Sequence, residues 1–130
     1  MENKRNEATP NRPEGDRVLD APFVFADLEE YTKQLKEEDA WGKNDRNGIT
    51  VFKSDVLTIV LTCLHEEAVV KHKAIDGTFT VQVLEGKIRL NTQEGDLTMK
   101  NGQITAFNEC VDQSIVALDD SVLLLTVYKP

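Results

Sequence analysis

The sequence TVQVLEGKIRL, residues 80–90, predicts two short β-strands joined by a glycine turn. Apolar side chains occupy every second position on each side of Glu85-Gly86, which is the period of a strand with one buried face. Glycine reaches backbone conformations that other residues avoid, so it is common where the chain turns sharply between strands. The stretch therefore indicates two strands that each contribute one face to a core.

The same pattern extends from this stretch in both directions, from residue 49 to the C-terminus. Val, Ile, Thr and Leu dominate short runs, and Gly or Asp turn signals separate these runs. The predicted strands are residues 49–53, 56–64, 78–84, 87–91, 97–100, 104–107, 113–118 and 121–128. Many short strands of this kind are typical of an all-β sandwich or barrel.

Residues 27–39 carry a helical pattern. Asp27 is well placed as an N-cap, and Glu30 stands three residues later, at the spacing of a capping box. Apolar residues recur at the spacing of one helical face, namely at Leu28, Tyr31 and Leu35. We expect this helix, within a helix-and-linker segment over residues 23–48, to pack as an amphipathic cover on the β-structure.

The composition describes a single acidic domain. The chain has 130 residues, of which 29% are charged, and its formal net charge is −8. A domain typically holds roughly 100–200 residues. A nucleic-acid binder needs a basic surface to replace the counterions at phosphates, and docking on anionic lipid needs the same sign of charge. We therefore expect no nucleic-acid partner and no membrane partner.

Histidine and cysteine are scarce, with two residues of each type. This scarcity excludes a multi-cysteine zinc module, a disulfide scaffold and any metal site built from three histidines. Residues 1–22 are polar and include Pro10, Pro13 and Gly15, which predicts a disordered N-terminal arm and no secretory signal. With no export signal and no evident thiol pairing, we expect a cytoplasmic location.

The turn at residues 83–86 resembles the end of the first motif of the small single-domain cupins, the RmlC-like jelly-roll proteins. In that family the motif runs as His-x-His, three or four residues, Glu, six residues and Gly. With Gly86 as the closing glycine, His72 occupies the first His position. Ala74 then occupies the second His position, and Phe79 occupies the Glu position.

The second cupin motif is matched less well. Gly102 corresponds to its first glycine, and Gln113 stands where its histidine is expected. Its Pro, Gly and Asn positions are occupied by Asn108, Cys110 and Ala117. Of the four metal-ligand positions that the family uses, three His and one Glu, His72 alone retains the ligand type.

The resemblance implies an all-β fold, a cupin-type double-stranded β-helix (jelly-roll) barrel over residues 49–130 with one N-terminal helix. Such a barrel either encloses a mostly apolar small-molecule pocket or is filled by its own side chains, and both interpretations stay open. The side chains expected to face inward are Leu57, Ile59, Leu61, Phe79, Val81, Val83, Ile88, Leu90, Ile104, Ala106, Ile115 and Ala117.

The resemblance also implies where a ligand would bind. The expected ligand-binding side chains are His72, Gln82, Gln113 and Phe79. The resemblance assigns no cofactor to this chain. If a divalent metal is bound, His72 and Gln113 are the expected ligands, and His65 or Asp112 is the weaker candidate for a third ligand. The competing interpretation of His65 is a neutral ring that is hydrogen-bonded to a backbone group.

Two functions from different classes follow. The first is a cupin-domain protein that binds a small organic ligand in the barrel without a tightly held metal. The alternative is a metal-dependent cupin enzyme, of dioxygenase or isomerase type, with an atypical His/Gln site. The sequence has no nucleophile elbow, P-loop or dinucleotide fingerprint. Because three of the four metal-ligand positions have lost the ligand type, it favours the first function and leaves catalysis open. The resemblance also implies a homodimer, because many small cupins are dimers built by strand exchange at a sheet edge. The expected macromolecular partner is therefore a second copy of this chain.

Overall fold

The computed structural model describes residues 5–6, 17–73, 76–108 and 112–130. Within these ranges, the N-terminal elements are β1 (Arg5–Asn6), β2 (Arg17–Val18), α1 (Leu28–Glu37) and α2 (Asp39–Lys43). The strands that follow are β3 (Arg46–Lys53), β4 (Leu57–Leu64), β5 (Val69–His72), β6 (Thr78–Glu85), β7 (Lys87–Thr92), β8 (Gly95–Lys100), β9 (Ile104–Phe107), β10 (Gln113–Ala117) and β11 (Ser121–Tyr128). None of the helices in these ranges is long and apolar enough to cross a membrane.

Strands β3 to β11 form two antiparallel sheets. The five-stranded sheet has the order β3-β4-β11-β6-β9, and the four-stranded sheet has the order β5-β10-β7-β8. From β4 onward the chain changes sheet at almost every connection, and β7 and β8 form a hairpin within one sheet. This crossing pattern is that of a double-sheet jelly roll, so the predicted all-β jelly-roll barrel is confirmed.

Gly86 is the corner at which the chain passes from one sheet to the other. Its φ of +100° lies in the region that favours glycine. A Cβ at this position would meet the carbonyl oxygen of Asp120 and Oγ of Ser121 at 2.5 Å. The backbone N–H of Gly86 donates to Oδ1 of Asn101 at 2.6 Å. The glycine of the V-L-E-G turn is therefore required both by the backbone conformation and by the close approach of β11.

Two apolar cores lie on opposite faces of the five-stranded sheet. The core between the sheets consists of Leu64, Ala68, Phe79, Val81, Val83, Ile88, Leu90, Met99, Ile115, Ala117, Leu123 and Leu125. The second core lies under α1 and consists of Leu35, Ile49, Val51, Leu61, Cys63 and Val122. Period-2 alternation in the strands supplies both cores, since successive side chains point to opposite faces.

The predicted helix is confirmed as α1, and its start has the predicted cap. The Asp27 carboxylate accepts a hydrogen bond from the backbone N–H of Glu30 at 3.2 Å. Leu35 is fully buried, and Asn47 on β3 donates to its carbonyl oxygen at 2.9 Å. The short helix α2 that follows is not predicted by the sequence, because five residues leave no readable period.

Several predicted side-chain orientations are wrong. Ile59 and Leu61 pack in the core under α1 rather than between the sheets, and Leu57 shares their face by alternation. On β9, Ile104 and Ala106 are exposed, and it is Phe107 that packs against the inner core. For Leu57, Ile59 and Leu61 the predicted alternation is present but belongs to the opposite face, because the helix-covered face of this sheet is apolar as well. On β9 the apolar residues Ile104 and Ala106 lie on the exposed face, so their alternation does not mark the inner side.

The edges of the predicted segments also differ from the structure. Strand β5 lies outside the predicted strands, and β3 begins at Arg46, three residues before the expected start of the barrel. Leu19, inside the predicted arm, is buried, and its carbonyl oxygen accepts a hydrogen bond from the N–H of Lys53 at 3.1 Å. Packed structure is therefore present before residue 23, and most of residues 1–16 lie outside the described ranges.

Candidate functional site

The candidate site lies at one end of the barrel, where β5 and β7 end and the neighbouring strand β10 begins. His72 pairs directly with Gln113, and Gln113 pairs with Thr92 on the other side. Val70 packs on the inner core, so alternation directs His72, two positions later, to the same face. The same reasoning places Gln113 on the face of buried Ile115. The strands therefore bring His72 and Gln113 together inside the barrel end.

Both side chains carry buried polar atoms without a partner. Gln113 is only 6% exposed. Its Nε2 and Oε1, together with Nε2 of His72, find no hydrogen-bond partner in the part of the chain that the structure describes. An unpartnered buried polar group costs about 1–3 kcal/mol, and native proteins contain few of them. Three such atoms on two facing residues make this barrel end the candidate binding site.

Phe79 forms the apolar wall beside this pair. Its ring centroid lies 4.7 Å from that of His72, and the two rings are tilted by 46°. On its other side Phe79 lies 6.3 Å from the ring of Phe107. Phe79 packs against the imidazole, and because it is 1% exposed, almost none of its surface is accessible to a ligand. It is thus a positioning residue for His72 rather than a surface on which a ligand would stack.

A groove of about 420 Å³ opens over this barrel end. Its lining combines the His72–Gln113 pair with polar and charged residues of the three strand ends: Lys71, His72, Lys73, Asn91, Thr92, Gln93, Asp112, Gln113 and Ser114. The charged members of this set are exposed, so water screens them. This volume lies within the range of small-molecule sites, which is about 300–1,000 Å³.

Burial lowers the pKa of His72 from its ordinary value of 6.5. The cause is the loss of solvent around the charged imidazolium, which no facing carboxylate replaces among the described residues that touch it. The inward neighbours are the neutral amide of Gln113 and the ring of Phe79. His72 is therefore neutral at pH 7, with one ring nitrogen that donates and one that accepts.

His65 lies away from this pair and is satisfied by the backbone. The residues that follow it bond to Ala117, at the opposite end of β10 from Gln113. Nε2 of His65 donates to the carbonyl oxygen of Trp41 at 2.7 Å, and the two rings stack with centroids 3.5 Å apart. The interpretation of His65 as a histidine bonded to a backbone group is confirmed, and its expected role as a third ligand beside His72 is wrong.

The structure does not bring Gln82 to the site. Phe79, Val81 and Val83 of β6 face the inner core, so Gln82 points to the opposite face of the sheet. It is paired in register with Leu124, which packs in the core under α1. The expectation that Gln82 faces the barrel interior is therefore wrong. Asp112 does line the groove, but its side chain is exposed.

The described residues do not fit the metal set that the resemblance implies. Among them, no three His, Cys, Asp or Glu side chains converge on one point. The Glu position holds the buried ring of Phe79, and the position of the last His holds the neutral amide of Gln113. Amides are poor ligands for Zn, Fe or Mn in comparison with imidazole or carboxylate. Ala74 and Cys110, at two further motif positions, lie outside the described residues.

Cys63 is a core residue. It is fully buried under α1, and burial raises the pKa of its thiol to about 11. The thiol is therefore protonated at neutral pH and is a poor nucleophile. Cys63 therefore serves as a small apolar side chain of the core.

Val70 and Phe107 pack on the inner core beneath this site, and both are absent from the residues that the sequence predicts for it. Val70 lies on β5, where the short pattern Val70-Lys71-His72 is the signal that identifies the inward face of His72. Phe107 is absent because the alternation of β9 predicts the wrong inward face.

Comparison with known proteins supports the fold. The chain matches no protein-family model, and no curated protein matches its sequence. Among solved structures, a cupin superfamily protein from Desulfitobacterium hafniense superposes with a TM-score of 0.63 at 12% identity, over 67% of this chain and 80% of that one. A cupin-2 domain protein from Shewanella frigidimarina gives a TM-score of 0.62 at 12% identity, over 80% and 94%.

An RmlC-like cupin from Desulfovibrio desulfuricans gives a TM-score of 0.58 at 19% identity, over 64% of this chain and 81% of that one. At these identities the likeness concerns the fold and carries no activity to this chain. The strand order described above agrees with it independently. The chain is therefore a small domain of the cupin fold.

Proposed function

We propose that this cupin domain binds a small organic molecule at the barrel end formed by His72 and Gln113, without a tightly held metal ion. One observation carries the proposal, which is the set of three buried polar atoms on these two facing residues that have no partner among the described residues. A ligand that bonds to them would remove a cost that the fold otherwise bears.

The surroundings support a pocket rather than a filled barrel end. The pair lies on the lining of a groove of about 420 Å³, and the inner core below it is apolar. The groove differs from the usual small-molecule site, whose walls are mostly apolar, because every residue that lines it is polar or charged. The packed core begins at Ile115 on the same strand, so the pocket occupies the end of the barrel and the remainder is filled.

Metal analysis of protein purified without chelator tests this proposal against the metal-dependent enzyme. We expect Fe, Mn, Zn and Ni well below one equivalent in the wild type, and no change in His72→Ala. Stoichiometric metal that is lost in His72→Ala would overturn the proposal and favour an enzyme with a His/Gln site. His65→Ala is the matched control, because it removes the other histidine from the opposite barrel end.

We also propose that the chain forms a homodimer through strand edges. Leu97 and Ile104, on the edge strands β8 and β9 of the two sheets, are 50% and 59% exposed. Exposed apolar edge strands invite pairing with another chain unless they are covered. Size-exclusion chromatography with light scattering should give a dimer at micromolar concentration for the wild type and a shift toward monomer for Ile104→Lys. A wild-type monomer would contradict this proposal.

A cytoplasmic location is proposed on chemical grounds. Cys63 is a buried free thiol, and free thiols are usual in reducing compartments. Fractionation of cells that express a tagged chain tests the location, and recovery from an oxidising compartment would contradict it.

A further inference from the structure

We infer that the molecule bound at this barrel end is uncharged and presents a hydrogen-bond donor and acceptor side by side, as a carboxamide, cyclic amide or ureide does. The inference rests on the proposed function and adds the chemical class of the ligand. It follows from which atoms are unpartnered, from how they face one another and from where the charges lie.

Gln113 offers both halves of its amide to a ligand. Its Nε2 donates and its Oε1 accepts, and neither atom has a partner among the described residues. A ligand with an adjacent acceptor and donor would satisfy both atoms with two parallel hydrogen bonds, as Gln does with the edge of an adenine base. A carboxylate has acceptors only, so it would satisfy Nε2 and leave Oε1 facing a negative charge.

His72 is placed to supply a third hydrogen bond. It stands directly across from Gln113 in an antiparallel pair, where facing Cβ atoms lie about 4.5–5.5 Å apart. Its Nε2, which is buried and unpartnered as well, is the third atom that such a ligand would bond. Phe79 fixes the imidazole by ring contact at 4.7 Å, so the direction of this bond is set by the protein before a ligand arrives.

The charged residues of the groove are exposed, whereas the pair is buried. Lys71, Lys73 and Asp112 lie next to the pair, but water surrounds their side chains and weakens their interaction with a buried ligand. The inward neighbours of Gln113 are a neutral imidazole and apolar side chains. Burying an ion against such neighbours is costly unless an opposite charge is present. This environment favours an uncharged ligand.

Three small probes of similar size test the inference, with binding followed through the side-chain amide signal of Gln113 in NMR titrations. δ-Valerolactam presents a donor and an acceptor side by side, N-methyl-valerolactam lacks the donor, and valerate carries a negative charge. We expect the lactam to bind at least tenfold more tightly than either of the others. We expect Gln113→Met to abolish lactam binding, which is monitored in this variant through the backbone signals of the groove residues. Gln82→Met is the matched control on the outer face of the same barrel, and we expect it to have no effect.

The outcomes separate this inference from the proposed function. Tighter binding of valerate, lost in Lys71→Met or Lys73→Met, would overturn the uncharged class and leave an organic ligand at the site. Equal binding of the lactam and its N-methyl form would also overturn the inference, as would no binding of the lactam. Stoichiometric metal at His72 would instead overturn the proposed function itself.

Discussion

The two histidines of this chain lie toward opposite ends of the barrel. Each ring contacts an aromatic side chain, but their hydrogen bonding differs. His65 is stacked on Trp41 and donates to its carbonyl oxygen at 2.7 Å. His72 is packed against Phe79, and its Nε2 has no partner among the described residues. One ring is satisfied by the fold, and the other is held in place with its bonding capacity unused.

Because the two histidines have different surroundings, residue type alone does not identify a binding site in this chain. From the sequence, the family resemblance makes His72 the candidate ligand and leaves His65 as a weaker third. In the structure, the end that holds His65 uses its histidine to tie β4 to the helix-and-linker segment. The end under the groove leaves His72 and Gln113 unsatisfied together. The unsatisfied polar atoms on this facing pair are therefore what distinguishes the candidate site from the end that holds His65.

The largest expected effect comes from removing the wall beside His72. Phe79→Ala deletes a fully buried ring that contacts both His72 and Phe107. Buried Phe-to-Ala changes cost about 3–5 kcal/mol, so we expect a loss of that size in the free energy of unfolding measured in urea. A loss below about 1 kcal/mol would mean that Phe79 is not packed as described.

The same substitution at each histidine tests whether the two rings differ as described. His65→Leu removes a hydrogen bond and a ring stack, and we expect it to lower the free energy of unfolding by about 1–3 kcal/mol. His72→Leu removes an unpartnered group and replaces it with apolar volume, so we expect a change within about 1 kcal/mol in either direction. Urea unfolding of both variants checks this, and equal losses would mean that the two rings do not differ as described.

Gln113→Met should stabilise the ligand-free protein. The substitution replaces a buried amide that lacks partners with an apolar side chain of similar shape, and we expect a gain of about 1 kcal/mol in the free energy of unfolding. Gln82→Met, on the outer face, should stay within about 0.5 kcal/mol of the wild type. Urea unfolding measures both, and a clear loss of stability in Gln113→Met would show that the amide is already paired.

A smaller, pH-dependent effect should come from His72 alone. Burial lowers its folded-state pKa below 6.5, so the unfolded chain takes up this proton first as the pH falls. The contribution of the neutral His72 to the free energy of unfolding is therefore complete above pH 6.5. It is lost as the pH falls from 6.5 to the folded-state pKa. The difference in unfolding free energy between the wild type and His72→Leu should shift against the wild type from about pH 7.5 to about pH 5.5. A constant difference would contradict a lowered pKa.

The fold is largely predictable from the sequence, and the site is predictable only in part. The alternation around Gly86 and the N-cap at Asp27 are local signals, and both correspond to observed contacts. Which face of the five-stranded sheet points inward depends on α1, because this helix makes the opposite face apolar as well. Periodicity therefore cannot decide the facing of Leu61 or Gln82, and both predictions of an inward side chain are wrong.

The pairing of His72 with Gln113 comes from the family resemblance rather than from spacing, since the two residues lie far apart in the sequence. That both carry atoms without hydrogen-bond partners is a property of the folded chain. No sequence pattern records whether a buried polar atom is satisfied, because the partner is supplied by tertiary packing.

The most direct test of the central claim is electron density at the barrel end, in crystals of protein purified without chelator. We predict water or an organic molecule within hydrogen-bond distance, about 2.7–3.2 Å, of the Gln113 amide and Nε2 of His72. A single strong peak about 2.0–2.2 Å from Nε2 of His72 would be a metal ion, and it would contradict the claim.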